Sequence, residues 1–279
     1  MFSKKSFFFI FFLLSVISFS QTLRRSSVAA AAGYVRGENH FQYAPEQSAN
    51  QAFVWANYTT SALHSFSAIY RKYGLAKNEN LKSYLAGITT TLNFFPWYFS
   101  ASFVRSNYNS INDEIVAEKL PSYNNIFSFS ATYYHRLFFY TLKGNYISQN
   151  FEKGVKNKIF FALAQITWRP SLRFFADVEG GITYDKNNNE KFFTYNFSLN
   201  WRPVDFVMLS FRRMLGERKF YYDADFMIYY DMPFIEKEAE VFYLTITPIK
   251  NLDFIFNFEN REYDKARSRY YSVSAKFVF

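Results

Sequence analysis

With no cysteine in the sequence, the first candidates for catalytic or ligating chemistry are three histidines and the carboxylates near them. That absence removes disulfides, thiolate metal sites and thiol nucleophiles together. His40 stands beside Glu38 and Asn39, while His64 and His135 are far from it and from each other along the chain. A protease-like group of His40 with Glu38, Asp113, Glu114 or Asp223 has no diagnostic spacing. Asp177 and Glu179 are two residues apart, which on a strand puts both carboxyls on one face, at the separation used by paired catalytic acids. The same face also receives Arg173, so a mixed-sign polar wall accounts for these residues at least as well. No Gly-rich phosphate loop and no metal-ligand spacing occurs. The acidic and amide run at 185–190 lacks the central glycine of a calcium loop. No catalytic residue, metal site or cofactor is therefore assigned.

The elements that carry these residues are strands. Strict alternation recurs along most of the chain, a period that only an extended backbone presents as two faces. Phe193, Tyr195, Phe197, Leu199 and Trp201 oppose Thr194, Asn196, Ser198 and Asn200. Leu252, Phe254, Phe256 and Phe258 oppose Asp253, Asn257, Glu259 and Arg261, and Phe127, Phe129, Ala131 and Tyr133 oppose Ser128, Ser130 and Thr132. Short turns alternate with longer polar connections. Trp168-Arg169-Pro170 and Trp201-Arg202-Pro203 are near copies at two short turns, where proline, lacking an N–H, costs no ladder bond. The longer connections are expected at 37–49, 74–81, 108–122, 151–156, 185–190, 216–237 and 264–268.

Placing strands between these connections predicts fourteen, at 28–37, 50–59, 63–73, 82–94, 97–107, 123–134, 137–149, 157–168, 172–185, 190–201, 205–216, 238–248, 252–263 and 269–279. Three regions resist the pattern. The first strand is alanine-rich without alternation, the eighth turns Ile159, Phe161 and Leu163 toward the polar face, and 220–230 reads as an extra hairpin arm or as strand extension. Twelve or sixteen strands stay open.

Residues 1–20 read as a secretory signal peptide. Lys4 and Lys5 precede an apolar run from Phe7 to Ile17, and Ser18-Phe19-Ser20 offers a small-residue cleavage site before Gln21. Residues 21–279 then form a single domain. Losing the two lysines lowers the formal charge from +9 to +7. The basic residues are interspersed with acidic ones, which gives no case for nucleic acid. With 37 Phe and 23 Tyr the mean hydropathy is nonetheless only −0.19. An outward apolar band around a polar interior reconciles the two numbers. A secreted propeller or solenoid is the rival reading, and it calls for polar outer faces and more than the 9 glycines present.

The closing residues carry the sharpest signal. Tyr271, Val273, Ala275, Phe277 and Phe279 share one face, and Ser272, Ser274 and Lys276 the other. This strand, ending in an aromatic, resembles the last strand of bacterial outer-membrane β-barrel proteins. The resemblance implies an all-β, antiparallel transmembrane barrel in the bacterial outer membrane. It also implies an insertion signal formed by Tyr271, Val273, Phe277 and Phe279, read by the barrel-assembly machinery, and contact with membrane lipid and lipopolysaccharide. A homo-oligomer or a partner protein is left open. Alternation then assigns Lys143, Arg173, Asp177, Glu179, Arg212, Asp253, Glu259, Arg261 and Lys276 to the lumen.

On this reading a passive porin-like channel for small hydrophilic solutes is expected. About seven residues lie between Gln21 and the first strand, too few for a plug domain, and the 216–237 loop is expected to constrict the pore. The alternatives are a non-conducting scaffold barrel in a secretion, adhesion or electron-conduit assembly, toward which the inward Ile159, Phe161 and Leu163 lean, and an outer-membrane hydrolase, which the separated histidines disfavour.

Overall fold

The computed structural model describes residues 26–41, 47–60, 64–75, 79–110, 122–151, 155–223 and 228–279. The signal-peptide reading of residues 1–20, and Asp113 and Glu114, lie outside them. The described residues form fourteen antiparallel strands closed into one ring, each bonded to its sequence neighbours and the last to the first. They are β1 (Ser27–Phe41), β2 (Gln47–Thr59), β3 (His64–Leu75), β4 (Glu79–Phe94), β5 (Trp97–Ser110), β6 (Tyr123–His135) and β7 (Phe138–Asn150). The second half comprises β8 (Lys156–Trp168), β9 (Phe174–Asp185), β10 (Glu190–Val204), β11 (Val207–Asp223), β12 (Ile228–Ile249), β13 (Leu252–Tyr263) and β14 (Ala266–Val278). Closure leaves no sheet edge, so every ladder can be satisfied without water.

Twelve and sixteen strands are thereby excluded. Several connections are shorter than expected, because the ladders run on past the apolar band. β1 continues to Phe41, which puts His40 on a strand rather than in a loop. The predicted 216–237 loop is instead an extension of β11 and β12, paired from Arg218↔Glu236 to Asp223↔Ile228 with register shifts near Arg218. A hairpin held by its own ladder is not an inward-folding constriction loop. Arg173 precedes β9 in a short turn, with its side chain 61% exposed and its guanidinium 3.3 Å from Asp205 of the next short turn. It belongs to the rim rather than to the lumen wall.

Following one cross-strand line around all fourteen registers climbs about 16 residues along β1, a shear that sets a tilt of about 40° and a backbone radius of about 13 Å. A line of constant height therefore steps down about one residue per strand.

The outer face is apolar between two aromatic girdles. Near the short-turn end lie Tyr58, Phe66, Trp97, Trp168 and Trp201, all exposed on the outside. Toward the other end, rings pair across strands. Phe103, Phe127, Tyr146 and Phe160 form one ladder, with centroids 4.9, 6.1 and 5.2 Å apart. Phe211, Phe242, Phe258 and Tyr271 form another, at 4.7, 6.3 and 5.2 Å. Cross-strand aromatic pairs stabilise a sheet, and paired girdles are how a barrel seats its ends at the two interfaces.

β1 explains its own lack of pattern. Its inward positions are Ala29, Ala31, Gly33, Val35 and Gly37, flanked in register by Phe53 and Trp55 on β2 and by Ser274 and Lys276 on β14. Small residues leave room for the neighbours' long side chains to lie over them. A Cβ at Gly33 would come within 2.6 Å of the Phe53 ring and of Ser274.

Candidate functional site

Alternation turns Ser, Thr and Asn side chains into the lumen along the short-turn half of the wall, and there they bond across strands. Asn57 donates to Ser67 at 2.7 Å, Ser100 and Ser130 oxygens are 2.8 Å apart, and Thr132 and Thr141 oxygens are 2.9 Å apart. Most inward residues of this half are only partly buried.

Farther along, the wall changes character. Ile69, Leu85, Val104, Ile126, Ile147 and Ile159 form one buried apolar cluster, with Phe53 and Trp55 packed against it. Val104, Ile126, Ile147 and Ile159 are directly opposite one another on β5 to β8. Trp55, Ile69 and Leu85 are likewise aligned on β2 to β4. Leu163 and Ile159 do face inward, as expected from the eighth strand, and Phe161 lies between them on that face. Phe53 and Trp55 went unrecognised as lumen residues in the sequence, although they share parity with Gln51, Asn57 and Thr59.

Beyond the apolar layer, an ionic network spans β11 to β13. Glu236 accepts from Arg218 at 2.6 and 2.8 Å and from Arg261 at 2.5 Å. Arg261 also donates to Glu259 at 2.7 Å, and Asn257 donates to the other Glu259 oxygen at 2.6 Å. Arg218, Glu236 and Arg261 side chains are at most 8% exposed. Mutual pairing and charge-assisted hydrogen bonds are what make such burial tolerable.

The remaining lumen charges are distributed between these regions. Asp177 accepts from Thr167 at 2.5 Å, Gln165 at 3.1 Å and Ser198 at 2.6 Å. Glu179 accepts from Asn196 at 2.5 Å, and Asp253 from Thr247 at 2.7 Å. All three donor sets lie on neighbouring strands, so each carboxylate is tied to the wall, and Asp177 and Glu179 engage separate donors rather than a shared nucleophile. Lys143 and Arg212 face the lumen from β7 and β11. Lys276 on β14 reaches over Ala31 and places its ammonium 5.8 Å from the centre of the Trp55 ring, within cation–π range.

The histidines are dispersed. His64 is buried on the outer face near the short turns, its Nδ1 3.1 Å from the Thr90 hydroxyl. His135 ends β6 at the same rim, and His40 lies at the opposite end of the barrel.

On the outside, Arg213 donates to Glu238 at 2.5 and 2.9 Å and sits 3.8 Å from Glu240. It lies level with Phe197 on β10, below Leu215, and so dips into the apolar band. In the closing strand Tyr271, Val273, Phe277 and Phe279 are all on the outer face, and the Phe277 and Phe279 rings meet edge-on at 4.6 Å.

No protein-family model matches the sequence, and no curated protein matches it. Solved structures do resemble the fold. The chain is similar to the deltaS2 mutant of the TodX monoaromatic hydrocarbon channel, at 9% identity over 95% of this chain and 91% of that one, with a TM-score of 0.57. The deltaS2S3 mutant of the same channel gives 8%, 95%, 92% and 0.56. The P. putida toluene transporter TodX gives 9%, 95%, 91% and 0.50. At this identity the likeness is one of fold: the chain is an outer-membrane-type β-barrel.

Proposed function

We propose that the protein is a passive channel for small solutes in a bacterial outer membrane. The observation that carries this reading is the short-turn half of the lumen, a closed wall of hydroxyl and amide groups that are only partly buried. The names of the similar barrels, a hydrocarbon channel and a toluene transporter, agree with it. In this reading the short turns and both chain ends face the periplasm, residues 1–20 are removed on export, and the outer face meets lipid and lipopolysaccharide. The barrel-assembly machinery reads Tyr271, Val273, Phe277 and Phe279. The protein carries out no catalysis.

Stepwise conductance of the refolded barrel in planar bilayers tests the reading. Repeated absence of conductance from a folded, heat-modifiable sample overturns it.

The second reading, a scaffold barrel with a closed lumen, is favoured by the packing in and beyond the apolar layer, where Ile126, Ile159 and Asp185 are 0% exposed. A partner recovered in stoichiometric amount from native membranes, together with a non-conducting barrel, supports it.

A further inference from the structure

Trp55, Lys143, Glu179 and Arg212 are far apart in sequence, yet the registers put them on one ring. Stepping down about one residue per strand from Trp55 arrives within about one residue of Lys143 on β7, Glu179 on β9 and Arg212 on β11. β2, β7 and β11 stand at near-equal thirds of the ring. An aromatic and two cationic residues therefore face the lumen at one height, where the partly exposed wall gives way to the apolar layer. Glu179 is 8% exposed and held by Asn196, so its charge is drawn back to the wall.

Lys276 adds a third cation slightly nearer the short turns. Its ammonium lies beside the Trp55 ring, and its cross-strand neighbour Asp253 accepts from Thr247 on the opposite side. The Trp55 indole N–H is shielded from water and has no acceptor among the described residues. A buried donor without an acceptor costs about 1–3 kcal/mol, which a bound acceptor would recover.

We propose that this ring is a selectivity constriction for small organic carboxylates. The carboxylate is held by the Lys276 ammonium and the Trp55 N–H in the field of Lys143 and Arg212, and an apolar body rests against the partly exposed Trp55 ring. The inference rests on the channel reading and names its solute class.

Reversal potentials of the full barrel in a KCl gradient, with benzoate as blocker, test it. The native barrel is expected to prefer chloride over potassium by about threefold, as basic rings do. The Lys143→Glu, Lys276→Glu pair is expected to reverse that preference. Trp55→Phe, which keeps a ring but removes the N–H, is expected to weaken benzoate block about tenfold, the equivalent of one charge-assisted hydrogen bond. A conducting barrel that prefers potassium, or whose selectivity ignores the paired lysine change, overturns the constriction and leaves the channel standing. If the barrel does not conduct, the channel reading falls, and benzoate titration of the detergent-folded protein decides the site. Binding weakened about tenfold by Lys276→Gln sustains it, and absence of binding overturns it.

Discussion

The Phe53 ring occupies the space that a side chain at Gly33 would need, with a Cβ there only 2.6 Å from the ring. The two residues are directly opposite on β1 and β2, so the ring cannot move away without leaving the lumen wall. Gly33→Leu is expected to destabilise the barrel by roughly 1–3 kcal/mol through overpacking. Ala32→Leu, on the outer face of the same strand, is expected to be nearly neutral. Urea titration read by the gel shift of folded against unfolded protein separates the two, and equal effects would mean that β1 is not packed from within.

Glu236 is the shared acceptor of Arg218 and Arg261. Glu236→Ala leaves two guanidinium groups buried without that counter-ion and is expected to cost roughly 3–5 kcal/mol, as breaking one side of a buried pair does. The fourfold change Arg218→Met, Glu236→Leu, Glu259→Gln, Arg261→Met, which leaves no buried charge of the network unpaired, is expected to recover most of that loss. A single change as harmless as the fourfold one would show that the network contributes nothing to the closure of β11 to β13.

Arg213 and Glu238 pair on the outer face within the apolar band. Glu238→Leu leaves the lipid-facing Arg213 only the longer contact with Glu240 at 3.8 Å and is expected to lower stability by about 1 to 4 kcal/mol, depending on its depth. Arg213→Leu combined with Glu238→Leu is expected to restore or exceed native stability in lipid vesicles. If the double change is instead the worse one, the pair serves a contact other than lipid.

Phe279 ends the closing strand on the outer face, and its N–H donates to the Val28 carbonyl at 2.7 Å. Phe279→Ser with Phe277→Ser is expected to slow insertion by the assembly machinery several-fold while altering spontaneous refolding in detergent little, since most closing ladder bonds remain. Assembly kinetics in proteoliposomes with and without the machinery distinguish the effects. Equal slowing in both systems would assign these rings to stability alone.

Alternation is a local property, and it was enough to assign faces. The outward set Phe193 to Trp201, the inward set Asp253 to Arg261 and the inward Lys276 follow from period two alone, because a strand cannot turn two successive side chains to the same side. Polar turns and prolines likewise marked where strands end at the short-turn side, so fourteen strands were legible. The extension past residue 216 was legible only as one of two readings of 220–230, and that past Gly37 was not, since polar residues leave a membrane while remaining paired.

Height and azimuth are different in kind, because they depend on registers summed around a closed ring. That sum, not any segment, brings Trp55 level with Lys143 and Arg212. It likewise lays Lys276 across Ala31 onto Trp55. The sequence by itself determined which side of the wall each residue faces. Only ring closure decided which of the inward residues share a height, since shear is a property of all fourteen pairings together.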